Sequence, residues 1–228
     1  MYSAYILFGA IALVSYAVSA TLHRKFEKYS HLPMPSGIKG KDIASKMLAD
    51  NGIRNVKVTS IAGVLTDHFN PANNTVNLSS NVYASNSVAA AAVAAHECGH
   101  AVQRAVSYPW IGLRSALVPA VSFASQWVQW VLLAGIVLLN VFPILLICGI
   151  AMFACTTIFS FVTLPVEFDA SRRALAWLDK SGAISQQHRE AARDALKWAA
   201  LTYVVAALSS LATLVYYLMI FLNGRRRS

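Results

Sequence analysis

Charged side chains are missing from three long stretches of this chain: residues 5–22, residues 115–166 and residues 201–222. A bilayer core takes about 20 consecutive apolar residues per helix. The first and last stretches therefore each predict one membrane helix. The middle stretch is too long for a single span, and Asn140-Val141-Phe142-Pro143 offers a natural break. It reads as a two-helix hairpin over residues 115–164, giving about four transmembrane helices in all.

The patterning changes between these stretches. Residues 29–40, with Pro33, Pro35, Gly37 and Gly40, read as a loop. Ile43, Met47 and Leu48 fall at helical spacing and predict a helix over 41–50 that stops near Gly52. Alternation over 56–61 predicts a strand. Residues 63–69 and 75–78 read as two more, joined by a turn over 70–74, so a small antiparallel sheet is expected. Its edge could pair with an extended peptide or serve only as a structural hairpin. Residues 87–105 predict a helix rich in alanine, with Ser85, Asn86 and Ser87 as N-cap candidates. Pro165 is expected to open a new helix that stops near Ser181-Gly182. Another begins at Ser185 and runs into the last span.

Composition agrees with this layout. The chain is 57% hydrophobic and only 13% charged, which is too apolar for an ordinary soluble domain. Basic residues follow the first apolar run (His23, Arg24, Lys25, Lys28) and none precede it, the reverse of a cleavable signal peptide, so residues 1–22 are expected to remain as an anchor. Of 19 Lys and Arg, 16 lie in residues 23–114 or 167–197. That asymmetry places those segments on the cytoplasmic side of a multi-pass cell-membrane protein. Arg225, Arg226 and Arg227 do not fit the same rule if the last helix crosses fully. The net charge of +9 is accounted for by membrane topology; no aromatic-basic platform is present, and nucleic acid is not an expected partner. Cys98, Cys148 and Cys155 form no disulfide framework and read as packing residues.

Candidate chemistry is concentrated in His96-Glu97-Cys98-Gly99-His100. On a helix, positions i and i+4 share a face, so His96 and His100 can bind one zinc ion. Glu97 is offset around the helix and can reach a water beside the metal, which, acidified by zinc and deprotonated by Glu97, would attack an amide carbonyl. A catalytic zinc wants three protein ligands and an open position. The extended pattern with a third histidine fails, because residue 103 is Gln and residue 106 is Val. Glu167 stands out among the remaining acids, next to the end of an apolar run, although a glutamate at a helix N-terminus also satisfies the macrodipole. Two spans between His100 and Glu167 return the chain to the same side of the bilayer, as a shared ion requires. His68 could donate to an oxyanion, cap the metal, or be a satisfied strand residue.

The segments Gly63-Val64-Leu65-Thr66-Asp67-His68-Phe69-Asn70-Pro71, Leu78-Ser79, Ala94-Ala95-His96-Glu97-Cys98-Gly99-His100-Ala101, Leu113-Arg114-Ser115-Ala116-Leu117-Val118-Pro119 and Leu164-Pro165-Val166-Glu167-Phe168-Asp169-Ala170-Ser171 occur in this order. Together they resemble the YugP-type neutral zinc metallopeptidase family, a relative of the HtpX and CAAX prenyl protease group. The resemblance runs from about residue 33 to the C-terminus. It implies a gluzincin-like head with Glu167 as the third ligand, one Zn²⁺ per chain, and protein or peptide substrates, membrane proteins foremost. Two positions depart from the pattern. Related proteases place Asp four residues after the ligand Glu, where this chain has Ser171. The Tyr and Asp usual after the histidine are here Phe69 and Asn70.

The expected architecture is a mostly α membrane protein with a small α+β cytoplasmic head. It divides into a transmembrane anchor (1–22), a head with the sheet and motif helix (23–114), a transmembrane hairpin (115–164), a third-ligand helix with its successor (165–200), and a final transmembrane helix with a basic tail (201–228). The expected activity is zinc endopeptidase. Two alternatives compete with it. A site-2-type intramembrane protease would need Leu-Asp-Gly, and here Leu178-Asp179 is followed by Lys180. A non-catalytic scaffold with a structural zinc would have no need of Glu97.

Overall fold

A computed structural model describes residues 2–34 and 37–225. The fold is mostly helical. Among the described residues, seven helices and three strands run in the order α1 (Tyr2–Ser30), α2 (Gly40–Asp50), β1 (Lys57–Ile61), β2 (His68–Asn70), β3 (Thr75–Ser79), α3 (Ser80–Tyr83), α4 (Val88–Ala105), α5 (Pro109–Val137), α6 (Pro143–Lys180) and α7 (Gln186–Arg225). Four of the helices have segments long and apolar enough to cross a membrane: Tyr5–Ser30, Pro109–Val137, Pro143–Lys180 and Gln186–Asn223. Pro35, Arg226 and Arg227 fall outside the described residues, and with them the loop assignment at 35 and most of the basic-tail expectation.

The chain divides into two compact units. The helical unit takes residues up to 16, residues 112–164, and those from 203 onward. Here α5 and α6 pack at glycines: a Cβ on Gly135 would meet the Leu146 Cα at 2.6 Å, and one on Gly149 would meet the Leu132 Cδ2 at 2.9 Å. Small residues allow such close approach of helix backbones. The Thr157 and Ser210 hydroxyls, 2.7 Å apart, join α6 to α7.

The α+β unit comprises residues 17–111 and 165–202. Its core gathers Ile43, Met47, Leu78, Val88 and the buried alanines of α4, together with Ala174 and Leu178 of α6 and Leu196 of α7. Ser87 caps α4: its side chain accepts from the Ala90 N–H at 3.2 Å. Alanine therefore serves twice in α4, as a strong helix former and as a side chain small enough for neighbouring elements to approach.

Three expectations need correction. The sheet is not wholly antiparallel. β3 is central, pairing in parallel with β1 (Lys57 opposite Thr75) and antiparallel with β2 (Phe69 opposite Val76). Residues 63–67 are not a strand. Gly63 and Leu65 have φ of 110° and 57°, and the Asp67 carboxylate accepts from the Ser79 N–H at 2.7 Å, which turns the chain into β2. Nor does Pro165 open a helix; it lies inside α6. A proline in a helix removes one hydrogen bond, at a cost of about 3 kcal/mol. The turns that follow offset this by burying the apolar Val166, Ala170 and Ala174. The break at 138–142 and the stop after Lys180 agree with expectation, whereas α1 continues past residue 22 to Ser30.

Candidate metal centre

Helices α4 and α6 meet at a glycine. A Cβ on Gly99 would lie 2.6 Å from the Ala170 carbonyl oxygen and 3.1 Å from the Ala170 Cα, so only glycine permits this approach. The consequence is functional as well as structural. One turn of α4, from His96 to His100, is laid directly against the turn of α6 that carries Glu167. The Nε2 atoms of His96 and His100 lie 3.3 and 3.7 Å from Glu167 Oε2. The ligand atoms of all three lie within 4.8 Å of one another. Nitrogen and oxygen ligands held about 2.0–2.1 Å from a tetrahedral zinc stand roughly 3.3 Å apart. The two nitrogen–oxygen separations already approach that spacing, and two imidazoles with one carboxylate form a familiar donor set for zinc. The residues fit the ion.

The imidazoles are oriented by different partners. Gln103, one turn beyond His100 and fully buried, directs its amide nitrogen to the Val166 carbonyl at 2.8 Å and to Asp169 Oδ2 at 3.0 Å. Both partners can only accept, which fixes the amide orientation. Gln103 Oε1 must then accept from His100 Nδ1, 3.1 Å away. His100 is thereby held with a proton on Nδ1 and with Nε2 toward Glu167. Asp169 is itself held by Arg172 and Arg173. On the other side, the Ser171 hydroxyl lies 3.1 Å from His96 Nδ1. Burial opposes a charge on His100, but the close approach of the Glu167 carboxylate and the charge of Glu97 outweigh it and raise its pKa above the ordinary imidazole value.

Glu97 is buried yet stands apart from this trio of donors. Its Oε2 accepts from the Phe69 N–H at 2.9 Å, so strand β2 holds the carboxylate that follows the first histidine. His68, one residue earlier, is not drawn into the cluster. Its Nδ1 lies 2.8 Å from the Thr66 carbonyl and its Nε2 lies 3.1 Å from Asn77 Nδ2. Cys98 packs beneath α4 with its thiol donating to the Ala44 carbonyl at 3.5 Å, and burial pushes its pKa up, as for an inert core thiol. Asp179, the acid of the Leu178-Asp179 pair, is engaged by Arg189.

The sequence pattern points to His96, Glu97, His100 and Glu167 but leaves the partners of the imidazoles open. Gln103 enters the sequence reading only as the residue that breaks the three-histidine pattern. Its position three residues after His100, on the same helical face, was the available signal. Asp169 lies on a different face of α6 from Glu167, as its spacing implies, and reaches the centre only through Gln103. Ser171 occupies the position where related proteases place Asp. The contribution of Phe69 is a backbone N–H, which side-chain identity does not reveal.

A family model described as "Putative neutral zinc metallopeptidase" matches residues 4–222. The chain is 42% identical over 202 residues to the "Putative membrane protease YugP" of Bacillus subtilis (strain 168), covering 88% of each protein. No solved structure matches the chain.

Proposed function

Because the chain belongs to this neutral zinc metallopeptidase family, we propose that it is a membrane-bound endopeptidase in which His96, His100 and Glu167 hold one zinc ion. The observation that carries the reading is the convergence of these three side chains from α4 and α6, with Glu97 beside them and outside the set of donors. A bound zinc ion supplies the Lewis acidity that makes a water acidic near neutral pH and polarises an amide carbonyl. Glu97 takes the proton of that water as its oxygen bonds to the carbonyl carbon. The proton then passes to the departing amine nitrogen as the carbon–nitrogen bond breaks. The Phe69 N–H fixes the Glu97 rotamer for this transfer. β1 and β2 are the edges of the sheet, and such an edge is suited to align an extended peptide by main-chain hydrogen bonds.

Gln103 and Ser171 act as positioning residues for the two imidazoles. Gln103→Leu is expected to weaken zinc binding by about 10–100-fold, the usual effect of removing a group that orients a metal-bound histidine. Competition with a fluorescent zinc chelator measures this. Unchanged affinity would remove Gln103 from the account.

Protein purified in neutral detergent is expected to cleave an unfolded protein such as casein. Cleavage should stop after treatment with 1,10-phenanthroline and return when zinc is added back. Hydrolysis that persists in metal-stripped protein would refute the zinc peptidase reading. The distribution of Lys and Arg supports a cytoplasmic α+β unit. A thiol dye that cannot cross membranes should therefore label Lys57→Cys only after cells are permeabilised; labelling in intact cells would reverse the assignment.

A further inference from the structure

Away from the metal centre, three basic side chains border one groove of the α+β unit. The groove, of about 440 Å³, runs between residues 168–179 of α6 and 193–200 of α7. Phe168, Leu175 and Leu196 line it with apolar surface, and Arg172, Arg193 and Lys197 supply the charge. Phe168 is half exposed. We propose that this groove binds the phosphate headgroup of an anionic membrane phospholipid.

Charge pairing is the first argument. Three of the acids on this part of the fold are already engaged: Asp169 by Arg172 and Arg173, Asp179 of the groove lining by Arg189, and Asp194 by Lys25 and Tyr29; Glu190, one turn before Arg193, is exposed and lies outside the groove lining. Among the described residues, Arg193 and Lys197 have no ion-pair partner. They sit four residues apart on one face of α7, where like charges repel. An anion between them relieves that repulsion, and the planar fork of Arg193 suits phosphate oxygens.

Position along the chain is the second argument. Lys197 is the last charged residue before the uncharged run 201–222, and α7 continues through that run without a break. On α6, Arg172 follows the end of the uncharged 115–166 block by only a few residues. Basic side chains between helices at such a boundary meet lipid headgroups at high local concentration. The apolar lining distinguishes lipid from free phosphate. The glycerol and the upper acyl chain would cover Phe168 and Leu175, whereas an inorganic anion would leave them wet.

The test uses the full-length protein in nanodiscs of phosphatidylcholine with and without phosphatidylglycerol, with retained lipid counted by native mass spectrometry. Wild type should retain phosphatidylglycerol selectively. Arg193→Gln combined with Lys197→Gln should lower its occupancy by about thirtyfold, at the usual energy per basic residue near an anionic surface. Lys46→Gln combined with Lys57→Gln, which removes two exposed charges elsewhere in the unit, should leave retention unchanged. Equal loss in both double variants would mean diffuse attraction and overturn the site. Retention by the Arg193/Lys197 variant would also overturn it. So would displacement of the lipid by millimolar inorganic phosphate, or selective binding of an oligoglutamate peptide in its place.

Discussion

Glu97→Gln is expected to leave zinc content unchanged and to lower peptide hydrolysis by about 10²–10⁴-fold, the usual contribution of a positioned acid–base group. The amide has the shape of the carboxylate it replaces. Its oxygen can still accept from the Phe69 N–H, the contact that spans 2.9 Å in the native protein. The donors on His96, His100 and Glu167 are untouched, so the metal has no reason to leave. What disappears is the ability to take a proton from water and return it to the amine. Zinc content by elemental analysis, set beside turnover of an unfolded substrate, separates the two effects. A Glu97→Gln protein that hydrolyses peptides at the native rate would contradict the proposed proton transfer.

Glu167→Gln is expected to give the opposite pattern, losing the metal first and activity only in consequence. Glu167 is 3% exposed and faces both imidazoles. The substitution removes the only negative charge among the three donors and leaves a weakly donating amide oxygen. Groups that merely orient a zinc-bound histidine are worth about 10–100-fold in affinity, so loss of a ligand should cost at least about 100-fold. Isothermal titration of metal-stripped protein measures the change. Native affinity in Glu167→Gln would exclude this carboxylate from the centre. The two variants are informative as a pair, since isosteric changes at two buried glutamates of one site separate metal retention from proton transfer.

Much of this arrangement could be read from the sequence, for identifiable reasons. Membrane-length helices reveal themselves by the absence of charge over whole stretches, and the break before Pro143 by its turn residues. His96 and His100 are legible because helical spacing alone puts them on one face. Glu167 required more: its position left a helix-terminal role open, and only resemblance to a family favoured it as a ligand. The interior proline misled, since Pro165 reads locally as a helix start, while the burial that sustains α6 through it comes from Gly99 and α4 across the interface. The sheet misled for a similar reason. Its parallel pairing depends on the loop that Asp67 ties to Ser79, a contact between residues twelve positions apart. Gln103 was hidden because a glutamine shows its function only once both acceptors of its amide are known.

X-ray absorption at the zinc edge on natively prepared protein addresses the central claim most directly. The expected result is one zinc per chain, with two imidazole nitrogens and oxygen ligands at about 2.0–2.1 Å, and loss of one imidazole shell in His100→Ala. A spectrum showing sulfur ligation, or one that His100→Ala leaves unaltered, would contradict the assignment of the ion to His96, His100 and Glu167.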